Sequence, residues 1–229
     1  MWMWAYGTWG APVIAMPTAA GMAHDWQLSG AVAALAPLIA GGRVKLYCPE
    51  TNVAECWTRG ADHPVARLRR HQAYEDFLVH ELVPWIRADC RLPDARIAVA
   101  GASVGGWYAV NLALKHPEIF WWALSLSGRF AMEQMLDGFW SDELYFHLPF
   151  AYVPNLAGPA LDRVRSQTSV TLVVGQGAFE GACLPETLRL AEVLWSRGIR
   201  CERDVWGHDV SHQWTWWCRQ LQHHLGRRF

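Results

Sequence analysis

The sequence predicts an α/β fold with a mostly parallel central sheet and helices on both faces. Short β-rich runs alternate with longer helical patterns along 229 residues. Runs such as 97–100 and 170–174 are apolar without alternation, as expected of strands buried on both faces. The hydrophobic fraction is 52% and the charged fraction 18%, which excludes a disordered chain or a coiled coil. This length suits a single domain, which we place at residues 1–229.

Seven strands and five helices are expected, in alternating order. The strands are predicted at 2–8, 13–16, 44–48, 97–100, 123–127, 170–174 and 203–206. The helices are predicted at 29–39, 64–88, 104–115, 184–197 and 212–225. Strands that alternate with helices of this length form open parallel sheets, and the chemistry of such sheets collects where the strands end.

Composition and charge limit the classes of partner and the cellular compartment that we expect for this protein. A formal net charge of −1 provides no basic field, so we expect no nucleic-acid partner. Apolar runs stay below the roughly 18 residues of a membrane span, so we expect no membrane partner. Residues 1–6 are interpreted as a first strand and not as a signal peptide. The six cysteines form no C-x-x-C pair, which favours free thiols in a cytoplasmic protein over a disulfide framework.

The candidate nucleophile is Ser103, in Gly101-Ala102-Ser103-Val104-Gly105-Gly106. This G-x-S-x-G pattern follows a predicted buried strand and opens a helix, as the strand–turn–helix elbow of α/β-hydrolases does. We expect side chains at 101 and 105 to collide with neighbouring elements, which explains both glycines. The alternative is a Gly-rich turn with a solvated serine. In the elbow, the Val104 N–H at the helix start would be one oxyanion donor.

Two histidines compete for the role of base, and both follow the last predicted strand. They are His208 and His212 in Trp206-Gly207-His208-Asp209-Val210-Ser211-His212. A serine hydroxyl needs such a base within hydrogen-bond reach. A metal site at His208, Asp209 and His212 is disfavoured because Gly207 places them in a loop. The remaining histidines are expected on the surface or on helix faces: 24, 63, 71, 80, 116, 147, 223 and 224.

The acid is expected in the loop after the 170–174 strand. Glu180 is the first carboxylate there, and a plain surface glutamate is its alternative reading. Glu186 is the reserve, although Pro185 places it in the first turn of a helix, where carboxylates commonly offset the helix dipole. The second oxyanion donor is expected in the small-residue loop after the second strand, where we choose Ala19.

The chain has 15 tryptophans, and some of them are candidates for an apolar pocket. Those on or near the predicted active-end loops are Trp26, Trp57, Trp107 and Trp140. Tryptophan rings can form the walls of an acyl or aromatic site, and core packing is the alternative for each of them.

Over nearly its whole length, the sequence resembles the putative esterase family of α/β-hydrolases. That group holds esterase D-like enzymes, feruloyl esterases and the mycolyltransferase antigens, and the chain looks like its short, single-domain bacterial members. The resemblance is carried by 12–18, 69–75, 101–106, 126–128, 137–139, 145–146, 175–180, 206–210 and 212–217. In that family the catalytic histidine stands directly before an x-Trp pair, which matches His212 and favours it over His208. The family nucleophile matches Ser103, and its acid matches Glu180.

The resemblance implies a serine carboxylic-ester hydrolase that uses an acyl-enzyme and needs neither cofactor nor metal. With little or no lid, we expect it to act on small or soluble esters. Acyl transfer from the same acyl-enzyme and a non-catalytic binding protein are the alternatives, and homo-oligomers are compatible with the composition. The family often has Asp where this chain has Gln213, Asn where it has His147, and Ser-Gly-Gly where it has Ala19-Ala20-Gly21. These departures leave the pocket shape and the natural ester open.

Overall fold

The computed structural model describes residues 1–58 and 62–229, and these form the predicted mostly parallel α/β architecture. The sheet has seven strands in the order β1-β3-β2-β4-β5-β6-β7. All neighbouring pairs are parallel except β1 and β3. The strands are β1 (Met3–Tyr6), β2 (Ala11–Met16), β3 (Val44–Pro49), β4 (Ile97–Ala102), β5 (Phe120–Leu126), β6 (Ser169–Val174) and β7 (Cys201–Val205). Each of the seven predicted strands is therefore present.

Helices cover both faces of this sheet. They are α1 (Asp25–Leu28), α2 (Ala31–Ala34), α3 (Ala36–Ala40), α4 (Pro64–Phe77), α5 (Val83–Asp89), α6 (Val104–Lys115), α7 (Asp142–Tyr145), α8 (Pro149–Tyr152), α9 (Gly158–Gln167), α10 (Cys183–Ser196) and α11 (Trp214–Arg228). One core cluster joins α4, α6 and α10 to a face of the sheet through Leu68, Trp107 and Leu190. The other joins α1 to α3 and α11 to the opposite face through Leu35 and Leu221. Within the described ranges, no helix is long and apolar enough to cross a membrane.

Two predicted helices are interrupted, and proline accounts for each interruption. The helix expected at 29–39 is split into α2 and α3 at Leu35, just before Pro37. The helix expected at 64–88 runs from Pro64 to Asp89 but contains a π-helical turn, Leu78–Leu82. Pro84 has no N–H to donate to the carbonyl four residues earlier, so the α-helical hydrogen-bond pattern is interrupted and a wider π-helical turn forms there.

Two other helical regions also depart from expectation. The last helix was expected from residue 212, but α11 starts at Trp214 and leaves His212 in the preceding loop. Between β5 and β6, where no helix was predicted, the chain forms α7, α8 and α9. Of these, α9 has ten residues and buries only Leu161 and Val164, so its apolar stripe is too narrow to give a clear periodic signal.

Candidate active site

Ser103 occupies a strained turn between β4 and α6. Its φ is 56° and its ψ is −122°, a backbone conformation that residues with a side chain rarely adopt. The Ser103 N–H donates to the Leu126 carbonyl at 2.9 Å, and its own carbonyl accepts the N–H of Gly106 at 3.0 Å. The turn thus places the serine at the N-terminus of a twelve-residue helix, as the elbow motif predicts.

The glycines at 101 and 105 allow this turn to form. A Cβ at Gly101 would lie 2.3 Å from the Gly105 carbonyl oxygen, inside the neighbouring helix. A Cβ at Gly105 would lie 2.5 Å from the Pro17 oxygen and 2.8 Å from the Met16 oxygen, at the end of β2. Backbone atoms cannot yield to such contacts, so both positions require glycine for steric reasons.

Two amide groups near Ser103 are candidates for binding an oxyanion. The register pairs Met16 of β2 with Gly101 of β4, so the loop after β2 lies beside the elbow. In that loop Thr18 donates its N–H and its hydroxyl to Asp25, each at 2.9 Å, and the Gly21 N–H donates to the Thr18 carbonyl at 3.0 Å. The N–H of Ala19 has no acceptor among the described residues. The Val104 N–H lies in the first turn of α6, where helical amides have no intrahelical partner.

The loops after β6 and β7 are joined by backbone hydrogen bonds. The Gly177 N–H donates to the Val210 carbonyl at 2.8 Å, and the His212 N–H donates to the Ala178 carbonyl at 3.0 Å. A Cβ at Gly175 would lie 2.1 Å from the Val210 oxygen, so the glycines of this loop permit the close approach. As a result the loop that carries Glu180 and the loop that carries His212 are held together.

Glu180 and His212 face each other across these loops. Glu180 is 1% exposed, and its Oε2 lies 3.5 Å from His212 Nδ1. That is an ion-pair distance, and Oε2 accepts no hydrogen bond within the described part of the chain. Of the hydrogen bonds between described residues, none joins Ser103 Oγ to His212. Catalytic hydrogen bonds are often long before substrate binds.

The competing carboxylate and the competing histidine are placed elsewhere. Glu186 accepts the N–H groups of Phe130 and Ala131 and pairs with Arg129 at 3.4 Å. It therefore stabilises the loop after β5 and does not face a histidine. His208 is exposed on the loop after β7, whereas His212 is half-buried beside Glu180.

Sequence reasoning missed two residues that contact this pair. Ser127, the first residue after β5, donates its hydroxyl to Glu180 Oε1 at 2.5 Å. Trp217 on α11 donates its indole N–H to Ser127 Oγ at 3.1 Å, and its ring lies edge-on to His212 with centroids 4.7 Å apart. A serine directly after a buried strand was the available signal for Ser127, but its partner is 53 residues away along the chain.

Cys183 also lies beside Glu180 and His212, but its thiol is not activated as a catalytic thiol would be. Its Sγ is 3.6 Å from His212 Nδ1. Burial, reinforced by the negative charge of Glu180, raises the pKa of the Cys183 thiol to about 12. Because only a thiolate is a strong nucleophile or metal ligand, Cys183 remains a neutral neighbour at physiological pH. All six cysteines are free.

The tryptophans proposed for a pocket lie mainly in the core. Trp26, Trp57 and Trp107 are at most 1% exposed, so the pocket interpretation is wrong for these three and core packing holds. Trp26 donates its indole N–H to the Met16 carbonyl at 2.9 Å and so fixes the end of β2. Trp140 is 56% exposed and lies edge-on to Tyr145.

The expectation of surface or helix-face histidines is wrong for His147, which is 3% exposed and lies outside the helices. His71 and His224 do lie on helices, but on buried faces, and are 1% and 3% exposed. His71 lies on the inner face of α4 against Trp57 and Trp107, and His224 pairs with Asp204 at 3.1 Å. Burial lowers the pKa of His224. Three groups of side chains bring metal-ligating atoms within 4.8 Å of one another in the described residues: His71, Glu75 and His147; Glu180, Cys183 and His212; Asp204, His223 and His224.

Comparisons with known proteins identify the family and support the fold. A family model described as Putative esterase matches residues 40–227. No curated protein matches the sequence.

Among solved structures, a ferulic acid esterase is 19% identical, with 97% of this chain and 86% of that chain covered and a TM-score of 0.71. The apoenzyme of S-formylglutathione hydrolase from Staphylococcus aureus is 15% identical, with 96% and 82% covered and a TM-score of 0.70. MPT51 of Mycobacterium tuberculosis is 19% identical, with 98% and 91% covered and a TM-score of 0.68. At such identities these structures bear on the fold alone.

Proposed function

The chain belongs to the putative esterase family and is a serine esterase, and from that premise we propose that it hydrolyses small carboxylic esters through a triad of Ser103, His212 and Glu180. Two observations support the proposal: Glu180 Oε2 lies 3.5 Å from His212 Nδ1, and Ser103 is held in a strained elbow. An acid–imidazole pair of this kind fixes the tautomer and leaves Nε2 to face the nucleophile.

The reaction then follows from the roles of these groups. Ser103 Oγ attacks the ester carbonyl while His212 Nε2 takes its proton, and the carbonyl oxygen becomes an oxyanion held by the N–H groups of Val104 and Ala19. When the tetrahedral intermediate collapses, the C–O bond to the alcohol breaks and the His212 imidazolium protonates the departing oxygen. Water, deprotonated by His212, attacks the acyl-enzyme and releases the carboxylic acid and the free serine. The Glu180 carboxylate orients His212 and stabilises the imidazolium.

The N-terminus of α6 adds to the stabilisation of the oxyanion. The Val104 N–H at its first position has no intrahelical acceptor, and the helix dipole places partial positive charge at this end. Preorganised donors of this type each contribute roughly 3–4 kcal/mol to the transition state. The fixed Thr18–Asp25 contacts keep Ala19 in place before substrate arrives, so little reorganisation is needed.

The choice of small or soluble esters rests on the size of the chain and on the buried tryptophans. Because Trp26, Trp57 and Trp107 are in the core, they do not provide the walls of a long acyl tunnel. We therefore expect p-nitrophenyl acetate and butyrate to be hydrolysed with higher kcat/KM than p-nitrophenyl laurate. A clear preference for laurate would reject this part of the proposal.

Variants of the triad test the proposal, and each has a matched control in the chain. Ser103→Ala and His212→Ala should each lower kcat on p-nitrophenyl acetate by roughly 10³-fold or more, with the circular dichroism spectrum unchanged. His208→Ala should keep most of the activity, because its side chain is exposed and away from Glu180. Glu180→Gln should reduce kcat far more than Glu186→Gln. If His208→Ala or Glu186→Gln were the inactive variant, the assignment of base or acid would be wrong.

A further inference from the structure

A second cluster of reactive side chains lies between α4, α6 and the segment before α8, outside the proposed triad. His71 and Glu75 are one turn apart on α4, and His147 precedes α8. All three are buried, with exposed fractions of 1%, 6% and 3%. His71 Nε2 lies 3.0 Å from His147 Nδ1, and Glu75 Oε2 lies 3.6 Å and 3.2 Å from these two nitrogens. Three Lewis-basic atoms therefore surround one point in the interior.

The hydrogen bonds in this cluster leave one oxygen of the Glu75 carboxylate without a donor among the described residues. One proton shared by His71 Nε2 and His147 Nδ1 makes the hydrogen bond between the two rings. Glu75 Oε2 then faces both nitrogens but accepts no hydrogen bond within the described residues, although it is buried. The other oxygen, Oε1, already pairs with Lys115 and lies 3.2 Å from His116 Nε2, so the missing partner is one for Oε2, at the centre of the cluster.

The spacing of the three atoms matches the ligand sphere of a small divalent cation. Zinc binds imidazole nitrogen and carboxylate oxygen at about 2.0–2.2 Å, and tetrahedral geometry then separates the ligand atoms by about 3.3–3.6 Å. The observed separations of 3.0, 3.2 and 3.6 Å bracket this range. We propose that His71, Glu75 and His147 form a binding site for a divalent cation of the zinc type. Two histidines and one glutamate leave a fourth position open, as zinc sites with three protein ligands do.

The site has a route to solvent and a cleft that attracts cations. A cleft of about 480 Å³ reaches Glu75 and His147 from the surface. Its lining also includes Asp76, Asp142 and Glu143, so a cation entering it passes three further carboxylates. Such a concentration of negative charge raises the local concentration of divalent cations.

Lys115 now supplies positive charge at the edge of this site. Its Nζ pairs with Glu75 Oε1 and lies 3.4 Å from His147 Nδ1. A bound divalent cation would repel this ammonium group. Because the Lys115 side chain is 21% exposed and lines the same cleft, it can turn toward the carboxylates of Asp142 and Glu143. Cation binding and the Lys115–Glu75 pair are therefore expected to compete.

The site is coupled by direct contacts to α6, the helix that begins directly after Ser103. Trp107, on the first turn of α6, donates its indole N–H to the His147 carbonyl at 3.1 Å, and its ring lies 5.2 Å from that of His71. A cation that joins α4 to the segment before α8 would fix Trp107 between them. We expect zinc to raise the Tm of the protein, whatever its effect on ester hydrolysis.

The test measures binding of Zn²⁺ to the chelator-treated protein, by competition with a chromogenic chelator and by the shift in Tm. Wild type should bind one equivalent at this site, with Co²⁺ in its place giving the strong visible absorption of tetrahedral coordination. Glu75→Gln and His147→Asn should each weaken Zn²⁺ binding by about 100-fold or more. Lys115→Met should tighten it, because the competing ammonium group is removed. His223→Ala, in the partly exposed cluster with Asp204 and His224, is the control for surface binding and should change nothing.

His147→Asn keeps the proposal testable if Glu75→Gln fails to fold, since Asn is smaller and neutral. Binding that survives His147→Asn, or that is lost only in His223→Ala, would overturn the proposal. So would a wild-type protein that binds no Zn²⁺ in competition with the chelator, or tightening that is absent in Lys115→Met.

Discussion

Removal of the Ser127 hydroxyl should weaken the proposed triad although none of its three members is replaced. This hydroxyl donates to Glu180 Oε1 at 2.5 Å and accepts the indole N–H of Trp217 at 3.1 Å. A buried hydrogen bond to a charged group contributes about 1.5–3 kcal/mol, and a neutral one about 1 kcal/mol. Ser127→Ala leaves both partners buried without this contact. We expect the free energy of unfolding to fall by about 2–4 kcal/mol.

Activity should fall as well, because Glu180 loses the contact that orients it toward His212. If about half of that free energy is lost from the transition state, kcat/KM falls roughly 5- to 30-fold, at 1.36 kcal/mol for each factor of ten. The loss should appear in kcat with KM nearly unchanged, since Ser127 orients the acid and binds no substrate. Initial rates on p-nitrophenyl acetate and urea unfolding monitored by tryptophan fluorescence measure the two quantities.

Ser125→Ala is the matched control on the same strand. Ser125 is fully buried, and its hydroxyl has no hydrogen-bond partner among the residues the structure describes. Its removal should change stability by less than about 1 kcal/mol and leave kcat unchanged. If Ser127→Ala and Ser125→Ala behaved alike in both assays, the orienting role given to Ser127 would be refuted.

Three further predictions concern strain, thiol reactivity and steric fit. Ser103→Gly should be more stable than Ser103→Ala by about 1 kcal/mol, since glycine relieves the strain of the elbow and alanine does not; urea unfolding of both inactive variants measures it. At pH 8 iodoacetamide should alkylate Cys183 roughly 1000-fold more slowly in folded than in urea-unfolded protein, because burial raises its pKa from 9.0 to about 12 and so lowers the thiolate fraction. Peptide mass spectrometry measures the two rates, and equal rates would contradict the prediction. Gly105→Ala should destabilise the fold by about 2–3 kcal/mol, because the added Cβ clashes with the Pro17 oxygen. Gly226→Ala on α11, where a Cβ meets nothing within 4 Å, should be neutral or stabilising, and thermal unfolding compares the two variants.

The positions of the strands along the chain and the turn at Ser103 could be predicted, because both depend on the pattern of neighbouring residues in the sequence. Apolar runs such as Val170–Leu172–Val174 mark strands that are buried on both faces, and a glycine on each side of Ser103 marks a turn that only glycine allows. These signals lie within a few neighbouring residues, so no knowledge of tertiary contacts is needed to interpret them.

The features that could not be predicted all join distant segments. His71 and His147 are 76 residues apart, and nothing in either sequence context distinguishes a buried histidine from an exposed one. Ser127 and Glu180 meet because β5 and β6 are neighbours in the sheet, which a single sequence does not reveal. The tryptophans were ambiguous for a related reason, since a ring near an active-end loop can turn toward the core or toward solvent.

Labelling with a fluorophosphonate, followed by intact-mass measurement, tests the central claim most directly. Such probes react with a serine only when a base activates it, so the proposed triad predicts a single adduct on wild-type protein. The adduct should be absent from Ser103→Ala and strongly reduced in His212→Ala, while His208→Ala should label like wild type. Folded wild-type protein that acquires no adduct, or a Ser103→Ala variant that still acquires one, would contradict the account.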